Sequence, residues 1–226
     1  MIGTELLDDP QADPFAVRAQ LGDIARLNAL FGGSRVVVEA LEPFFQAAGT
    51  DQHWTLLDVG TGAGDIPVAV AAAARRYGIT CTTIGVERIP TAARMARSAG
   101  LRAVVGDGDA LPFAPKSVDV VVASQVLHHL SREAAIRWIA GIDRLARRAV
   151  VLADLRRSRL AMAGIWLVAP SLGMSRATRH DAVVSLRRGF RRRELAALLE
   201  AAGVRATIRY RPWSRIVSAW RPHAHG

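Results

Sequence analysis

A short apolar run that leads directly into a glycine-rich loop constrains the fold of this chain more than any other feature. Both lie in the stretch Leu56-Leu57-Asp58-Val59-Gly60-Thr61-Gly62-Ala63-Gly64-Asp65. The apolar run is typical of a buried strand, and Ala-rich sequence of high helix propensity follows the loop from Val68 to Tyr77. The order of strand, tight turn and helix predicts an α/β fold, in which ligands bind at the carboxyl ends of parallel strands.

The spacing of the glycines distinguishes this loop from a dinucleotide-binding loop. Dinucleotide sites use G-x-G-x-x-G and direct backbone amides at a pyrophosphate. Gly60, Gly62 and Gly64 instead form G-x-G-x-G, with Asp58 before them and Asp65 as the expected N-cap of the next helix. A carboxylate at position 58 repels a pyrophosphate but suits a ligand that carries an ammonium group. At this point, turn formation without a ligand remains the alternative.

Composition indicates a single domain and a reducing environment. The chain has 226 residues, half of them hydrophobic, so one domain over residues 1–226 is expected. Cys81 is the single cysteine, which excludes a disulfide framework and favours the cytoplasm. No signal-peptide pattern begins the sequence. The net charge of +10 comes almost entirely from arginine without interleaved aromatic residues, which disfavours a nucleic-acid partner.

Two helices are predicted before the first strand. Residues 1–14 are expected to precede regular structure, and apolar residues at helical spacing predict a helix from Pro14 to Leu30. Ser34 is the expected N-cap of a second helix, from Arg35 to about Ala48. Residues 1–50 would then form either a brace or a lid over the ligand-binding edge.

Acidic residues also end the second and third predicted strands. Glu87 follows the β-rich run Thr80–Val86, and Asp107 follows Leu101–Val105. In a βαβ unit the first carboxylate lies beside the ribose of a nucleoside, and the second is placed to accept a hydrogen bond from an exocyclic amine. Capping of the helix that starts near Pro90 is the alternative role for Glu87.

The rest of the chain continues the alternation of strands and helices. Its predicted elements are strand Ser117–Ala123, helix Ser131–Arg147, strand Ala149–Ala153, helix Arg191–Ala202, strand Val204–Tyr210 and strand Ser214–Trp220. The fourth strand leads into Ser124, Gln125, His128 and His129, and the fifth ends at Asp154. These polar residues are therefore expected at the same edge of the sheet.

The series of motifs from Leu56 to Asp154 resembles the class I S-adenosylmethionine-dependent methyltransferases, most closely their small-molecule branch. The motifs are Leu57-Asp58-Val59-Gly60-Thr61-Gly62-Ala63-Gly64, Val86-Glu87, Gly106-Asp107-Gly108-Asp109-Ala110-Leu111-Pro112-Phe113 and Val126-Leu127-His128-His129-Leu130. The resemblance implies a seven-stranded, mostly parallel, doubly wound α/β sheet with an antiparallel last strand. N-terminal helices and a helical insertion over residues 155–190 would complete the domain.

The resemblance also implies a role for each motif in binding S-adenosylmethionine. Gly60, Thr61, Gly62 and Gly64 would hold the methionine moiety, Glu87 the ribose, Asp107 and Gly108 the adenine, and Ser124 and Gln125 the end near the sulfonium. Arg88 follows the ribose acid and is placed with the cofactor-binding residues. Many members of that family have Asp at the position of Glu87. This difference changes how far the carboxylate reaches toward the ribose but not its role.

The insertion over residues 155–190 is too long for a simple loop and is expected to cover the substrate. Its apolar part, Leu160–Met174, is interrupted by Pro170 and is too short to span a bilayer. An apolar pocket lining is the favoured interpretation, with contact to a membrane surface and plain core packing as alternatives.

Histidines are the expected proton acceptors because imidazole titrates near neutral pH. His128 and His129 follow the fourth strand, and one of them, with a preference for His129, is expected to orient or deprotonate the acceptor. His180 in the insertion is a second candidate, and Asp154 would orient a histidine or the acceptor. Helix-entry packing is the alternative role for His128 and His129. Solvent exposure is the alternative for His180, and capping of the following segment is the alternative for Asp154. No metal is predicted, because adjacent histidines rarely both reach one ion.

These observations favour an enzyme that methylates a hydroxyl of a small, apolar, aromatic acceptor. Carbon methylation of a quinone-like ring is the nearest alternative. Nucleic-acid methylation is disfavoured because Ser124-Gln125-Val126-Leu127 replaces the Asn/Asp-Pro-Pro-aromatic turn typical of base amino-methylating enzymes. A cofactor-binding protein without catalysis and an NAD-dependent oxidoreductase are the remaining classes.

Overall fold

A seven-stranded sheet in the order β3-β2-β1-β4-β5-β7-β6 forms the centre of the protein. The computed structural model describes residues 5–168 and 173–223. The strands are β1 Gln52–Val59, β2 Ile79–Glu87, β3 Arg102–Val105, β4 Val118–Ser124, β5 Ala146–Leu155, β6 Thr207–Arg211 and β7 Arg215–Trp220. Strands β1 to β5 pair in parallel, and β7 lies antiparallel to both of its neighbours. The predicted fold class is confirmed.

Helices cover both faces of the sheet, as the apolar parallel strands require. They are α1 Pro14–Leu30, α2 Gly33–Gln46, α3 Asp65–Arg75, α4 Pro90–Ser98, α5 Arg132–Leu145, α6 Arg159–Val168, α7 Arg176–Arg188 and α8 Arg192–Ala201. Helices α2 and α3 pack on one face around Phe45 and Trp54, whereas α5 and α8 pack on the other around Ile139 and Leu195. Each face of the sheet therefore has its own apolar core.

Two helices begin on glycine instead of on the polar caps that the sequence suggested. Helix α2 has Gly32 at its N-cap with φ of 68°, so Ser34 lies inside the first turn. Helix α3 has Gly64 at its N-cap with φ of 86°, so Asp65 is its first residue. A Cβ at Gly64 would lie 3.3 Å from the Ala96 backbone, so close packing of the loop against α4 excludes a side chain there. The predicted caps at Ser34 and Asp65 are therefore wrong.

The N-terminal residues are more ordered than predicted. Leu6–Asp8 form a single turn of 3-10 helix, called the N-terminal turn below. Leu6 and Leu7 pack against Val17 and Leu21 of α1 and against Ile89, ahead of α4. The expectation that residues 1–14 lack structure is wrong for this turn, and residues 1–4 lie outside the described part of the chain.

The insertion over residues 155–190 begins inside strand β5 and contains α6 and α7. Strand β5 extends past its predicted end, so Asp154 lies within it and pairs in register with Ile216 of β7. Leu160 on α6 is 86% exposed, and Pro170 lies outside the described residues. Within the described ranges, the helices are too short or too polar to cross a bilayer.

Candidate active site

A cleft of about 460 Å³ lies at the carboxyl edge of the parallel strands. The loops after β1, β2, β3 and β4 form its floor, and the N-terminal turn, α1 and the end of α7 form its walls. Its volume is in the range typical of sites for small molecules and cofactors. Asp58, Glu87 and Asp107, which the sequence placed around one ligand, all line this cleft.

Asp58 is a buried carboxylate with an unused acceptor. It is 2% exposed, and its Oδ2 accepts a hydrogen bond of 2.7 Å from the hydroxyl of Thr61. Its Oδ1 is buried and has no hydrogen-bond partner. Burial raises the pKa of Asp58 to about 8; the Thr61 bond opposes this rise, and the charges of Asp65 and Glu87 add to it. A cationic ligand group at Oδ1 would satisfy this acceptor and favour the ionised form.

Glu87 ties the ends of β1 and β2 together. One of its carboxylate oxygens accepts from the amide of Gly62 and the other from the amide of Ile89, both at 2.9 Å. Each oxygen keeps a second lone pair, so the carboxylate can still accept from ligand hydroxyls. The amide of Ile89 belongs to the start of α4, so both predicted roles of Glu87 are compatible with its position.

Gly60 and Gly108 are positions where the backbone itself forms the cleft wall. Gly60 has φ of +72°, and a Cβ there would lie 2.4 Å from the side chain of Val126. A Cβ at Gly108 would lie 3.2 Å from the indole nitrogen of Trp138, which also lines the cleft. A side chain at Gly60 would clash and one at Gly108 would fit tightly, so the bare main chain forms the cleft wall at both positions and a ligand can approach it closely.

The other predicted cofactor residues divide into those at the cleft and those that support it. Asp107, Ser124 and Gln125 line the cleft, and the Ser124 hydroxyl is buried without a hydrogen-bond partner. Gln125 has φ of +59° and directs its amide toward Asn28 at 3.4 Å. Gly64 is not among the described residues that line the cleft, because its role is the close packing at the start of α3.

Arg88 lines the cleft but contacts protein backbone. Its guanidinium donates to the carbonyl oxygens of Leu7 and Asp8 at 3.4 and 2.9 Å. Arg88 therefore holds the N-terminal turn over the cleft. The cofactor contact that the resemblance implies for Arg88 stays a prediction.

Asn28 and Arg215 form a buried polar support that the sequence did not reveal. The guanidinium of Arg215 donates to the Asn28 amide oxygen at 2.9 Å, and the Asn28 amide nitrogen donates to Asp65 at 2.9 Å. Arg215 is 5% exposed, and burial lowers its pKa although Asp154 and Asp65 act in the opposite direction. These contacts join α1, α3 and β7, which lie far apart in the sequence.

His128 and Asp154 form a buried pair at one end of the cleft. His128 Nδ1 lies 2.7 Å from Asp154 Oδ1, and the backbone amide of His128 donates to the other carboxylate oxygen at 3.2 Å. Nδ1 is assigned a proton because its partner is a carboxylate, so Nε2 carries a lone pair when His128 is neutral. Nε2 is buried and has no hydrogen-bond partner. This is the arrangement in which Asp154 orients a histidine.

His129 has a similar carboxylate partner from the N-terminal turn. Its Nδ1 lies 2.6 Å from Asp8 Oδ1, and Arg188 of α7 donates to the same carboxylate at 3.0 Å. The rings of His128 and His129 pack against each other, with centroids 4.2 Å apart and planes tilted by 34°. The 3-10 turn Leu127–His129 therefore directs both imidazoles to the same end of the cleft.

The surroundings shift the pKa values of the two histidines in opposite directions. Burial alone would lower the pKa of His128, but Asp154 and Glu5 raise it above the ordinary histidine value. Burial and the charge of His128 lower the pKa of His129, although Glu5 and Asp8 oppose this. Opposite shifts in neighbouring titratable groups are typical of sites that transfer protons.

Glu5 completes this end of the cleft. It is 8% exposed, and its carboxylate accepts from the Ser185 hydroxyl at 2.6 Å and from Arg188 at 3.2 Å. Its two oxygens lie 3.8 Å from Nε2 of His128 and 4.0 Å from Nε2 of His129. No sequence signal indicated Glu5 or Asp8, because their partners lie more than a hundred residues away.

His180 lies outside the cleft, contrary to the expectation that it contacts the substrate. Its side chain is 63% exposed and its Nδ1 lies 3.2 Å from Asp181 Oδ1. The inward side of α7 instead carries Asp181, Ser185 and Arg188, which are spaced by about one helical turn. Position 180 precedes Asp181 directly and therefore falls on the outer side.

Residues 57–153 match the family profile described as "Methyltransferase domain", and this span contains the glycine loop, the three strand-end acids and both cleft histidines. Residues 57–153 form a methyltransferase domain. A comparison with curated proteins finds no significant match to the chain.

Solved methyltransferase structures have the same fold. A SAM-dependent methyltransferase from Aquifex aeolicus is 18% identical, with a TM-score of 0.62 over 92% of this chain and 97% of that one. Magnesium protoporphyrin IX methyltransferase from Synechocystis PCC 6803, with bound SAH, is 15% identical, with a TM-score of 0.56 over 83% and 82%. The CurJ carbon methyltransferase is 13% identical, with a TM-score of 0.61 over 84% and 54%.

The cleft of this methyltransferase domain fits S-adenosylmethionine, the cofactor of the family. The unpaired buried oxygen of Asp58 suits the ammonium group of the methionine moiety. The side-chain-free walls at Gly60 and Gly108 leave room for the ligand against the backbone. Glu87 keeps lone pairs for ribose hydroxyls, as described above.

Proposed function

We propose that the protein transfers a methyl group from S-adenosylmethionine to a hydroxyl of a small-molecule acceptor, with His128 as the proton acceptor. The observation that carries the proposal is the buried Asp154–His128 pair: His128 lines the cleft, and its Nε2 is buried without a hydrogen-bond partner. Ser124 and Gln125, next to this pair in the chain, line the same cleft.

The bound cofactor supplies an electrophilic methyl group on a sulfonium, and the protein aligns an acceptor oxygen with it. Alignment and exclusion of water account for most of the rate in such a displacement. When His128 is neutral, Asp154 at Nδ1 leaves Nε2 free to take the acceptor proton; because the pKa of His128 is raised, this form requires a pH above that raised value. His129, whose surroundings favour its neutral form, is the second candidate for this role.

The walls of the cleft suggest an acceptor with an apolar body and a polar group. Leu7, Leu21, Ile24 and Leu130 supply apolar surface, while Glu5, Asp8 and Arg188 supply charge. An aromatic acceptor remains our proposal for the body, and a hydroxyl for the polar group. The lid expected over residues 1–50 remains our proposal for the N-terminal turn and α1, which form one wall of the cleft, whereas α2 packs on the sheet.

Carbon methylation is the second candidate reaction, since a structural neighbour is described as a carbon methyltransferase. The same His128 would then remove a proton from the acceptor during enolate or phenolate formation. A cytoplasmic location, the absence of a nucleic-acid partner and peripheral contact with a membrane stay predictions from the sequence.

The substitution Asp154→Asn tests the proposal. It removes the carboxylate that orients His128, so kcat with a phenolic acceptor panel should fall by about 10²-fold or more. The Kd for S-adenosylmethionine should change little, because the cofactor-binding acids are untouched. His53→Ala, which removes a surface histidine bonded to Thr80 and Thr82, is the matched control and should retain full activity. An unchanged kcat in Asp154→Asn would rule out the proton-acceptor role of His128.

A further inference from the structure

Three metal-binding side chains lie around one point at the end of the cleft: Glu5 and the adjacent His128 and His129. One ligand atom from each of Glu5, His128 and His129 lies within 4.8 Å of the other two. The Glu5 oxygens lie 3.8 Å from His128 Nε2 and 4.0 Å from His129 Nε2. We propose that Glu5, His128 and His129 bind a divalent transition-metal ion of the zinc class.

A bound ion would draw the three groups closer together. Ligand atoms about 2.1 Å from a tetrahedral ion are roughly 3.4 Å apart. The two Glu5 distances, 3.8 and 4.0 Å, involve different carboxylate oxygens, and the three ligand atoms lie within 4.8 Å of one another, so binding requires movements of up to about 1.4 Å. His129 is 23% exposed in its side chain and can move, whereas the Glu5 side chain is 5% exposed and would shift relative to its partners Ser185 and Arg188. The sequence predicted no metal because adjacent histidines rarely both reach one ion, but the 3-10 turn here places the two ring centroids 4.2 Å apart.

Each histidine also has the outer partner that metal-binding imidazoles have. Asp154 lies 2.7 Å from Nδ1 of His128, and Asp8 lies 2.6 Å from Nδ1 of His129. Carboxylates at Nδ1 fix the ring orientation and leave Nε2 as the ligand atom. The Nε2 atom of His128, a residue only 7% exposed, is buried without a hydrogen-bond partner. A buried polar atom without a hydrogen-bond partner indicates that a ligand binds at this point.

The ligand types select the ion. Two imidazole nitrogens and one carboxylate suit zinc and similar transition metals, whereas magnesium and calcium prefer oxygen ligands. Three protein ligands leave a coordination position open toward the cleft. The carboxylates of Glu5, Asp8 and Asp154 favour a cation at this point, and the guanidinium of Arg188 offsets part of their charge.

The ion and the acceptor proton would compete for the same lone pair of His128. Zinc is therefore expected to inhibit methyl transfer, and a chelator should restore it. This expectation rests on the proposed function. Binding of zinc without inhibition would contradict the role of His128 as proton acceptor but not the metal site. The two proposals can thus fail separately.

Calorimetric titration of the tag-free, chelator-treated protein with zinc chloride, without cofactor or acceptor, tests the site. We expect one equivalent to bind, with affinity reduced at least tenfold in Glu5→Gln and in His129→Ala. Both positions lie at the edge of the cleft, and thermal unfolding verifies that the variants are folded. His53→Ala should bind zinc as the parent does. Absence of zinc binding by the parent, or equal affinity in Glu5→Gln and His129→Ala, would overturn the proposal.

Discussion

At the scale of single residues, Asp58 links cofactor binding to a proton. Burial raises its pKa to about 8 from an ordinary value of 3.8, so the folded protein without ligand holds a proton that the unfolded chain releases near pH 4. Between these values the folded state binds more protons, and this residue makes stability fall as the pH rises. A ligand ammonium at the free Oδ1 relieves that cost by favouring the carboxylate.

The prediction from Asp58 is proton release on cofactor binding. At pH 6.5 the ligand amine is charged and Asp58 is protonated, so binding should release about one proton. Calorimetry in buffers of different ionisation enthalpy measures this number. Asp58→Asn should release none and should bind S-adenosylmethionine about 10- to 100-fold more weakly, because a charged hydrogen bond is lost. Equal proton release in the variant would show that Asp58 does not contact the ammonium.

At the scale of elements, the strands and most helices could be predicted, and their ends could not. Helix α1 runs over the predicted residues Pro14–Leu30, because apolar spacing and Pro14 define it locally. The starts of α2 and α3 were mispredicted, since the choice between a polar cap and a left-handed glycine depends on how closely the loop packs. The N-terminal turn was missed because it is held by contacts with distant residues.

The N-terminal turn gives a prediction at this scale. Arg88→Met removes the hydrogen bonds that hold the carbonyls of Leu7 and Asp8. Amide hydrogen exchange in residues 5–9 should become roughly tenfold faster, because this turn opens more often when the bonds are lost. Arg102→Met, which changes an exposed arginine on β3, is the control and should leave the exchange there unchanged. Unaltered exchange in Arg88→Met would mean that the other contacts of the turn, with Asp181, Arg188 and the apolar cluster, hold it without Arg88.

At the scale of the whole molecule, sequence patterns predicted the cofactor end of the cleft better than the acceptor end. Asp58, Glu87 and Asp107 each follow a strand, so the parallel sheet alone brings them to one edge. Glu5, Asp8 and Arg188 come from the two ends of the chain and meet only in the folded protein. No local pattern marks such residues, and which side of α7 faces the cleft, that of Arg188 or that of His180, is set by tertiary packing.

A crystal structure with S-adenosylhomocysteine bound would test the central claim, that three strand-end acids hold one nucleoside whose sulfur faces the histidines. We predict that the ligand amino group contacts Asp58, the ribose hydroxyls contact Glu87 and the adenine lies beside Asp107. The sulfur should then face the end of the cleft formed by Glu5, His128 and His129. A ligand bound with its sulfur directed away from these histidines, or outside the reach of the three acids, would contradict the account.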